Sequence, residues 1–227
     1  MINSYFDQDV EPHVRGWLHH PRDPRGDGVI LTHGAGSNCA APLLIALAET
    51  FYAHGYTVLR CDLPFRQAKP LGPPFPGQAE RDRAGLHNAV AAMRKNIDGK
   101  VFLGGHSYGG RQATMLCAEE PDLVSGLLLL SYPLHPPRKA EQLRVQHLPR
   151  LHTSCLFVQG TRDPFGSIDE MKEALQLIPA KKELVEVEGA GHDLGFKGKN
   201  RLQELPARIF AAFENLQSDR GQRSGFG

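Results

Sequence analysis

The chain has 227 residues, 41% of them apolar, which suffices for one buried core of the size that a single α/β domain usually has. Its 26 lysine and arginine residues balance 25 aspartate and glutamate residues and leave a net charge of +1. That balance argues against nucleic acid or an anionic membrane surface as a partner, because both require a strongly basic face. No stretch approaches the roughly 20 apolar residues of a membrane span, so none is predicted.

The N-terminal residues lack the basic segment and following apolar stretch of a secretory signal. The four cysteines, Cys39, Cys61, Cys117 and Cys155, are far apart in the sequence and form no CxxC pair. A zinc site is therefore not expected, and we predict neither a metal nor a cofactor. Isolated cysteines in or beside core elements are typical of a reduced protein, so we expect a cytoplasmic location.

Short apolar runs alternate with helical patterns along the chain. Strands are predicted at residues 29–32, 56–61, 101–104, 124–131, 155–159 and 183–187, with one or two irregular edge strands within 4–20. Helices are predicted at residues 42–54, 79–97, 111–120, 168–178 and 202–216, and a long loop at 62–77. This alternation predicts an α/β fold with a mostly parallel central sheet flanked by helices, in one domain over residues 1–216. The polar, glycine-rich tail at 217–227 is predicted to be disordered.

Ligands of parallel sheets bind beyond the carboxyl ends of the strands, so the turns after the strands are where chemistry is expected. One strand runs into Gly105-His106-Ser107-Tyr108-Gly109, a G-x-S-x-G pattern between a strand and a helix. Such a turn exposes the serine Oγ above the sheet, and glycines at both ends avoid Cβ collisions. A glycine-rich turn could instead cradle a phosphate, but the Lys-Ser/Thr ending of a phosphate loop is missing. Ser107 is therefore the predicted nucleophile, and His106 is interpreted as a packing residue.

A serine hydroxyl needs a base to remove its proton and a carboxylate to orient that base. The turn after one late strand holds Asp163, and the turn after the next holds His192. In hydrolases whose nucleophile lies on a G-x-S-x-G turn of this kind, the chain order is Ser, then Asp or Glu, then His. We predict that Asp163 is the acid and His192 the base. Asp163 could instead only cap its turn, and Asp169 and Asp193 are weaker alternatives for the acid.

Acyl transfer places negative charge on a carbonyl oxygen, and preorganised backbone N–H groups stabilise that charge. The N–H of Tyr108, the residue after the nucleophile, is one expected donor. The second is expected from the turn after the first parallel strand, His33-Gly34-Ala35-Gly36, where we favour Ala35 over Gly36. The alternative is that these residues form only a tight turn.

Taken together, these residues resemble the α/β-hydrolase superfamily, and the resemblance covers roughly residues 25–216. The closer resemblance is to a small dienelactone-hydrolase-like branch that includes testis-expressed protein 30-like proteins and relatives of a nonspecific-lethal chromatin-complex subunit. It is carried by residues 126–137, by the turn at 33–36 and by Leu59-Arg60. Dienelactone hydrolase has a cysteine nucleophile where this chain has Ser107, so its particular reaction is not carried over. The resemblance implies the fold and the triad and names no substrate.

Lipases and many peptidases carry a lid or cap between two of the central strands, and residues 133–151 at that place are too few for a large one. We expect no large cap domain, a short helix at 139–147 and an open, shallow site. An apolar rim and nearby positive charge are predicted from Phe65, Tyr108, Leu134 and Phe165, and from Arg60, Arg66, Arg111 and Arg162. The arginines suggest a substrate that bears a carboxylate.

The predicted activity is hydrolysis of a small carboxylic ester or thioester, in which Ser107 attacks, His192 carries the proton and Asp163 orients His192. The expected partner is a small acyl substrate, without nucleic acid or membrane, and the oligomeric state is left open. A non-catalytic interaction module on the same fold is the alternative, since a fold does not fix a function. The complete set of Ser, Asp and His favours the enzyme, and the absence of a peptide-selecting segment disfavours a peptidase.

Overall fold

The computed structural model describes residues 1–196 and 203–218. Its strands are β1 (Ile2–Asp7), β2 (Val14–His19), β3 (Gly28–Thr32), β4 (Thr57–Asp62), β5 (Val101–His106), β6 (Gly126–Leu130), β7 (Cys155–Gly160) and β8 (Lys182–Val187). They form one sheet in the order β1-β2-β4-β3-β5-β6-β7-β8. β2 pairs antiparallel with β1 and with β4, and every pair from β4 to β8 is parallel.

The helices cover both faces of this sheet. They are α1 (Pro42–Ala53), α2 (Pro64–Ala68), α3 (Ala79–Arg94), α4 (Tyr108–Glu119), α5 (Ile168–Leu175) and α6 (Leu205–Ser218). Buried residues of α3, α4 and α5 form one apolar cluster against the sheet, and those of α1 and α6 form a second. Neighbours on β3 divide between the clusters, Ile30 in the first and Val29 and Leu31 in the second, as the alternation of a strand requires.

The central strands are apolar because both of their faces are covered. All five residues of β6, the run GLLLL, are buried. Full burial of a leucine side chain stabilises a fold by roughly 1.5–3 kcal/mol relative to exposure, so this strand anchors the sheet. The predicted α/β fold with a mostly parallel sheet is confirmed.

Several predicted boundaries need correction. The segment expected to hold irregular edge strands forms two regular antiparallel strands, and the predicted loop at 62–77 begins with the short helix α2. The last helix continues through Gln217 to Ser218, so the predicted tail loses its first two residues to α6, and 219–227 lie outside the described residues. In the part of the chain that is described, all four cysteines are buried, and no helix combines the length and apolarity needed to span a membrane.

The predicted helix at 139–147 is wrong. Gln142 N–H donates to Lys139 O in a tight turn, and Arg144 N–H donates to the distant Leu134 O at 2.8 Å. A helix would need those N–H groups to bond four residues back, but the chain here folds back onto the loop after β6 instead. Only a three-residue 3₁₀ turn, Leu148–Arg150, follows.

Candidate active site

Ser107 occupies a strained turn between β5 and α4. Its φ of 51° and ψ of −116° lie in a region that costs an L-residue about 1–3 kcal/mol. Hydrogen bonds fix the turn, because Ser107 N–H donates to Leu130 O at 2.8 Å and Ser107 O accepts from Arg111 N–H at 3.0 Å. A Cβ at Gly105 would lie 2.4 Å from Gly110 N, so only glycine allows the strand and helix to approach this closely.

Three side chains from the ends of β5, β7 and β8 form one hydrogen-bonded line. Ser107 Oγ lies 2.7 Å from His192 Nε2, and His192 Nδ1 lies 2.8 and 3.0 Å from the two carboxylate oxygens of Asp163. Because a carboxylate only accepts, His192 Nδ1 donates to it and Nε2 accepts from the Ser107 hydroxyl. The Asp163 side chain is fully buried, whereas that of His192 is 23% exposed. This arrangement can pass a proton from serine to histidine while a carboxylate holds the ring.

Two neighbouring rings hold His192 in place. The Phe165 ring lies against the imidazole with 4.1 Å between centroids, and Phe165 N–H donates to Asp163 Oδ1 at 2.9 Å. On the other side, His106 Nε2 donates to the backbone oxygen of His192 at 2.8 Å. Burial lowers the pKa of His106 to about 4, so its ring is neutral near pH 7 and carries its proton on Nε2. His106 therefore supports the His192 loop in addition to packing beside the nucleophile.

The turn after β3 presents free backbone donors beside Ser107. Ser37 N–H donates to Gly34 O at 3.1 Å and closes a four-residue turn. Within the described residues, the N–H groups of Ala35 and Gly36 in the middle of this turn have no acceptor. Tyr108 is the first residue of α4, where an N–H has no intrahelical acceptor either. These are the donors expected to face a developing oxyanion.

Two buried side chains fix this turn. His33 Nε2 accepts from Leu63 N–H at 3.0 Å, so its Nδ1 carries the proton and donates to Gly34 O at 2.9 Å. Burial lowers the pKa of His33, which keeps the ring neutral. Arg66 donates to Ala35 O at 2.8 Å and to Ser37 O at 2.7 Å. His33 and Arg66 thus bind the carbonyl groups of the turn, and its central N–H groups stay available.

Tyr108 has a buried partner that the sequence did not indicate. Its hydroxyl donates to Asp82 Oδ2 at 2.7 Å, and Phe65 N–H donates to Asp82 Oδ1 at 2.9 Å. Asp82 is fully buried in α3, and burial raises the pKa of its carboxyl. Asp82 is therefore a fixed support beneath the first residue of the nucleophile helix.

A cavity of about 550 Å³ opens above Ser107. It is lined by Gly34, Ala35, Gly36, Ser37, Pro73, Pro74, His106, Ser107, Tyr108, Arg111, Pro133, Arg144, Phe165 and His192. Of the predicted rim, Tyr108, Arg111 and Phe165 are present. A larger cavity of about 700 Å³ lies at the β1–β2 edge beside Trp17. None of Ser107, His192 and Asp163 lines that larger cavity, so we assign the smaller one to the chemistry.

Besides Arg66, four residues predicted to line the site do not reach this cavity. Phe65 and Leu134 are 1% exposed and belong to the core, where the Phe65 ring packs edge-on against Tyr108. Arg60 is buried on β4 and donates to His19 Nε2 and Cys39 O. Arg162 is exposed, whereas the neighbouring residue Asp163 is buried. Position after a strand places a residue at the correct edge of the sheet but does not set the direction of its side chain.

Arg66 and Arg144 differ from the predicted pattern in opposite ways. Arg66, expected to bring charge to the site, is buried and gives its guanidinium to four backbone carbonyls. Arg144, which the sequence did not single out, lines the cavity. Its position depends on the fold of the 133–151 segment, for which no sequence motif exists.

Comparison with solved structures places the fold among known hydrolases. Dienelactone hydrolase from Anabaena variabilis ATCC 29413 matches with a TM-score of 0.74 and 22% identity, covering 95% of this chain and 97% of that one. An alpha-beta serine hydrolase homologue from Coxiella burnetii matches at 0.75 and 16%, covering 92% and 96%. Est1E from Butyrivibrio proteoclasticus, in a structure with bound ferulic acid, matches at 0.70 and 17%, covering 96% of each.

These identities establish a common fold and no more. The family model described as alpha/beta hydrolase domain, however, matches residues 25–213, which is most of the chain. The same span holds all three residues of the hydrogen-bonded line and the turn after β3. The protein therefore belongs to the α/β-hydrolase family.

Proposed function

We propose that the protein is a serine hydrolase that cleaves a small carboxylic ester or thioester through an acyl-enzyme on Ser107. The single observation that carries the proposal is the line from Ser107 Oγ through His192 to Asp163, with bonds of 2.7 and 2.8 Å. A hydroxyl, a neutral imidazole and a buried carboxylate in this order are the parts that nucleophilic acyl transfer needs. The N–H groups of Ala35, Gly36 and Tyr108 would stabilise the negative charge that develops on the carbonyl oxygen.

In the proposed first half-reaction, Ser107 Oγ attacks the carbonyl carbon and its proton moves to His192 Nε2. The carbonyl oxygen becomes an oxyanion that accepts from Tyr108 N–H and Ala35 N–H, with Gly36 N–H as the second choice. The imidazolium then gives its proton to the leaving alkoxide or thiolate, and the acyl group stays on Ser107. Asp163 stabilises the charged ring throughout.

In the second half-reaction, His192 takes a proton from water, and the resulting hydroxide attacks the acyl carbon. The tetrahedral intermediate collapses, the carboxylic acid leaves and the proton returns to Ser107. No step requires a metal or a cofactor. Removing one oxyanion donor from a site of this kind costs about 100- to 1,000-fold in kcat.

The proposal also covers the branch of the family, the domain organisation, the cellular location and the partners. We place it in the dienelactone-hydrolase-like branch, beside testis-expressed protein 30-like proteins, on the resemblance of residues 126–137 and of the turn at 33–36. We propose a single domain that extends to the end of α6 at Ser218 and acts in the cytoplasm on a small acyl substrate, without nucleic acid or membrane as a partner. The site cavity of about 550 Å³ and the short 133–151 segment support a small substrate.

The direct test is labelling with a neutral fluorophosphonate probe, followed by intact mass measurement. We expect one adduct on the wild-type chain and none on Ser107→Ala. Ser125→Ala is the matched control, since Ser125 lies before β6 at the opposite edge of the sheet and should leave labelling intact. A panel of short esters and thioesters then identifies the bond that is cleaved.

Two outcomes would contradict the proposal. An adduct that persists on Ser107→Ala would assign the reactive group elsewhere. A folded wild-type chain that forms no adduct and cleaves no ester or thioester would favour the non-catalytic interaction module on the same fold.

A further inference from the structure

Two arginines enter the Ser107 cavity from rigid supports. Arg111 lies one helical turn after Ser107 on α4, and its N–H donates to Ser107 O at 3.0 Å. Ser107 is the N-cap residue of α4, so Arg111 follows it by one turn of the helix, and both residues line the cavity. Arg144 lies across the cavity, where its N–H donates to Leu134 O and its carbonyl accepts from Tyr132 Oη at 3.1 Å. Both positions are fixed before any ligand binds.

Within residues 1–196 and 203–218, neither guanidinium has an anionic partner. Within the described residues, the Arg111 side chain donates to no acceptor, and its Nε is buried and unpaired. The Arg144 guanidinium makes one long contact, 3.4 Å from Pro133 O. By contrast, Arg60 and Arg66 give their guanidinium groups to internal acceptors. The charges that face the cavity are therefore the ones that the fold has left uncompensated.

The cavity offers these two cations no internal compensation. No aspartate or glutamate is found among the lining residues that the structure describes. Burial and the like charge of Arg111 lower the pKa of Arg144, although an arginine remains protonated near pH 7. Two like charges in a partly buried space raise the energy of the empty site, and an anion that accepts from both lowers it. The arrangement is thus suited to a ligand with a planar pair of charged oxygens, which guanidinium groups bind in a bidentate manner.

We propose that Arg111 and Arg144 bind a carboxylate of the substrate. The substrate class is then the half-esters or half-thioesters of short dicarboxylic acids, in which the free carboxylate lies a few bonds from the scissile carbonyl. The one-turn separation of Arg111 from Ser107 sets that short reach. This inference rests on the proposed function for its reaction but not for its binding site, so the two can be tested separately.

Binding is measured first, without turnover. The full chain carrying Ser107→Ala is titrated with adipate, with the monocarboxylate hexanoate and with inorganic phosphate by calorimetry. We expect adipate to bind, and to lose roughly tenfold or more in affinity when Arg111→Met or Arg144→Met is added. Arg162→Met is the matched control, because it removes an exposed charge near the site that does not line the cavity. Arg111→Lys keeps the positive charge but lacks the planar guanidinium, so it should lose less adipate affinity than Arg111→Met.

Kinetics then links the site to the reaction. The mono-nitrophenyl ester of adipic acid and its methyl-capped neutral form are compared by kcat/KM on wild type. We expect a preference of roughly tenfold or more for the anionic ester, lost in Arg111→Met and Arg144→Met and kept in Arg162→Met.

Equal rates for the two esters, or adipate binding that neither arginine substitution weakens, would overturn the inference and leave the proposed function standing. Phosphate binding without adipate binding would also overturn it. Arginine-dependent adipate binding to a chain that cleaves no ester would support the site and contradict the proposed function.

Discussion

Removing the Tyr108 hydroxyl tests whether a buried charge supports the nucleophile helix. In Tyr108→Phe, Asp82 Oδ2 loses its 2.7 Å donor inside the protein, and only the Phe65 N–H remains on the other oxygen. A hydrogen bond to a charged group contributes roughly 1.5–3 kcal/mol, so the free energy of unfolding should fall by about that amount near neutral pH. Because Asp82 is fully buried, water cannot replace the lost donor.

The loss should depend on pH in a defined direction. Burial already raises the folded-state pKa of Asp82 above its unfolded value of 3.8, and the Tyr108 hydrogen bond opposes that rise. The variant therefore raises the folded pKa further and takes up a proton at a higher pH than wild type. Relative to wild type, the variant should lose the most unfolding free energy at pH values above the folded-state pKa that Asp82 has in the variant. The loss should shrink as the pH falls through that pKa, because a protonated Asp82 carboxyl depends less on the Tyr108 hydroxyl.

Urea unfolding at about pH 8 and about pH 4 measures this, with Asp82→Asn as the background control. In that background Tyr108→Phe should cost only the roughly 0.5–1.5 kcal/mol of a neutral hydrogen bond. A deficit that is the same at both pH values and the same in the Asp82→Asn background would refute the reasoning. The hydroxyl would then contribute through packing and not through the carboxylate.

Three further outcomes are expected. Asp163→Asn should lower kcat by about 1,000- to 10,000-fold in initial-rate assays with the fold intact by circular dichroism, and a drop under tenfold would exclude it as the orienting acid. Gly105→Ala should destabilise the chain by about 1–3 kcal/mol in urea, because its Cβ would lie 2.4 Å from Gly110 N, while Gly36→Ala, with open space around it, should not. Burial lowers the pKa of His147 to about 4, so the native state loses up to about 3 kcal/mol as the pH falls from about 6.5 to 4. Urea unfolding across that range should show a smaller loss in His147→Gln, and equal losses in the two chains would count against this account.

The parts of the site that could be predicted from sequence are those set by local chain geometry. A G-x-S-x-G pattern between an apolar run and a helical run needs glycine where the strand and the helix touch. Gly105 is such a position, because a Cβ there would lie 2.4 Å from Gly110 N. Asp163 and His192 could be named because strand order sends both turns to the same edge of the sheet. Their roles as acid and base remain predictions, but their meeting with Ser107 within bonding distance follows from that topology.

Side-chain direction could not be predicted in the same way. Arg60 lies within β4, and the alternation of that strand turns it towards His19 and away from the site. The helix predicted at 139–147 does not form, because the backbone hydrogen bond from Arg144 N–H to Leu134 O replaces a helical hydrogen bond. No local sequence pattern predicts a hydrogen bond between residues that far apart. That misassigned segment supplies Arg144, so the error in secondary structure also hid a residue of the cavity.

Arg66 and Arg111 show how the count of donors separates a structural arginine from a binding one. In sequence both are basic residues near glycine-rich turns, and both were expected to bring charge to the substrate. In the fold, Arg66 donates to four carbonyls, including two of the turn that presents Ala35 N–H, so four of its five N–H donors are already used inside the protein. The Arg111 side chain has no acceptor among the described residues, although it shares a cavity wall with the nucleophile. A charge that makes most of its hydrogen bonds inside the protein stabilises a loop, whereas a charge left without them beside the nucleophile can select what binds there.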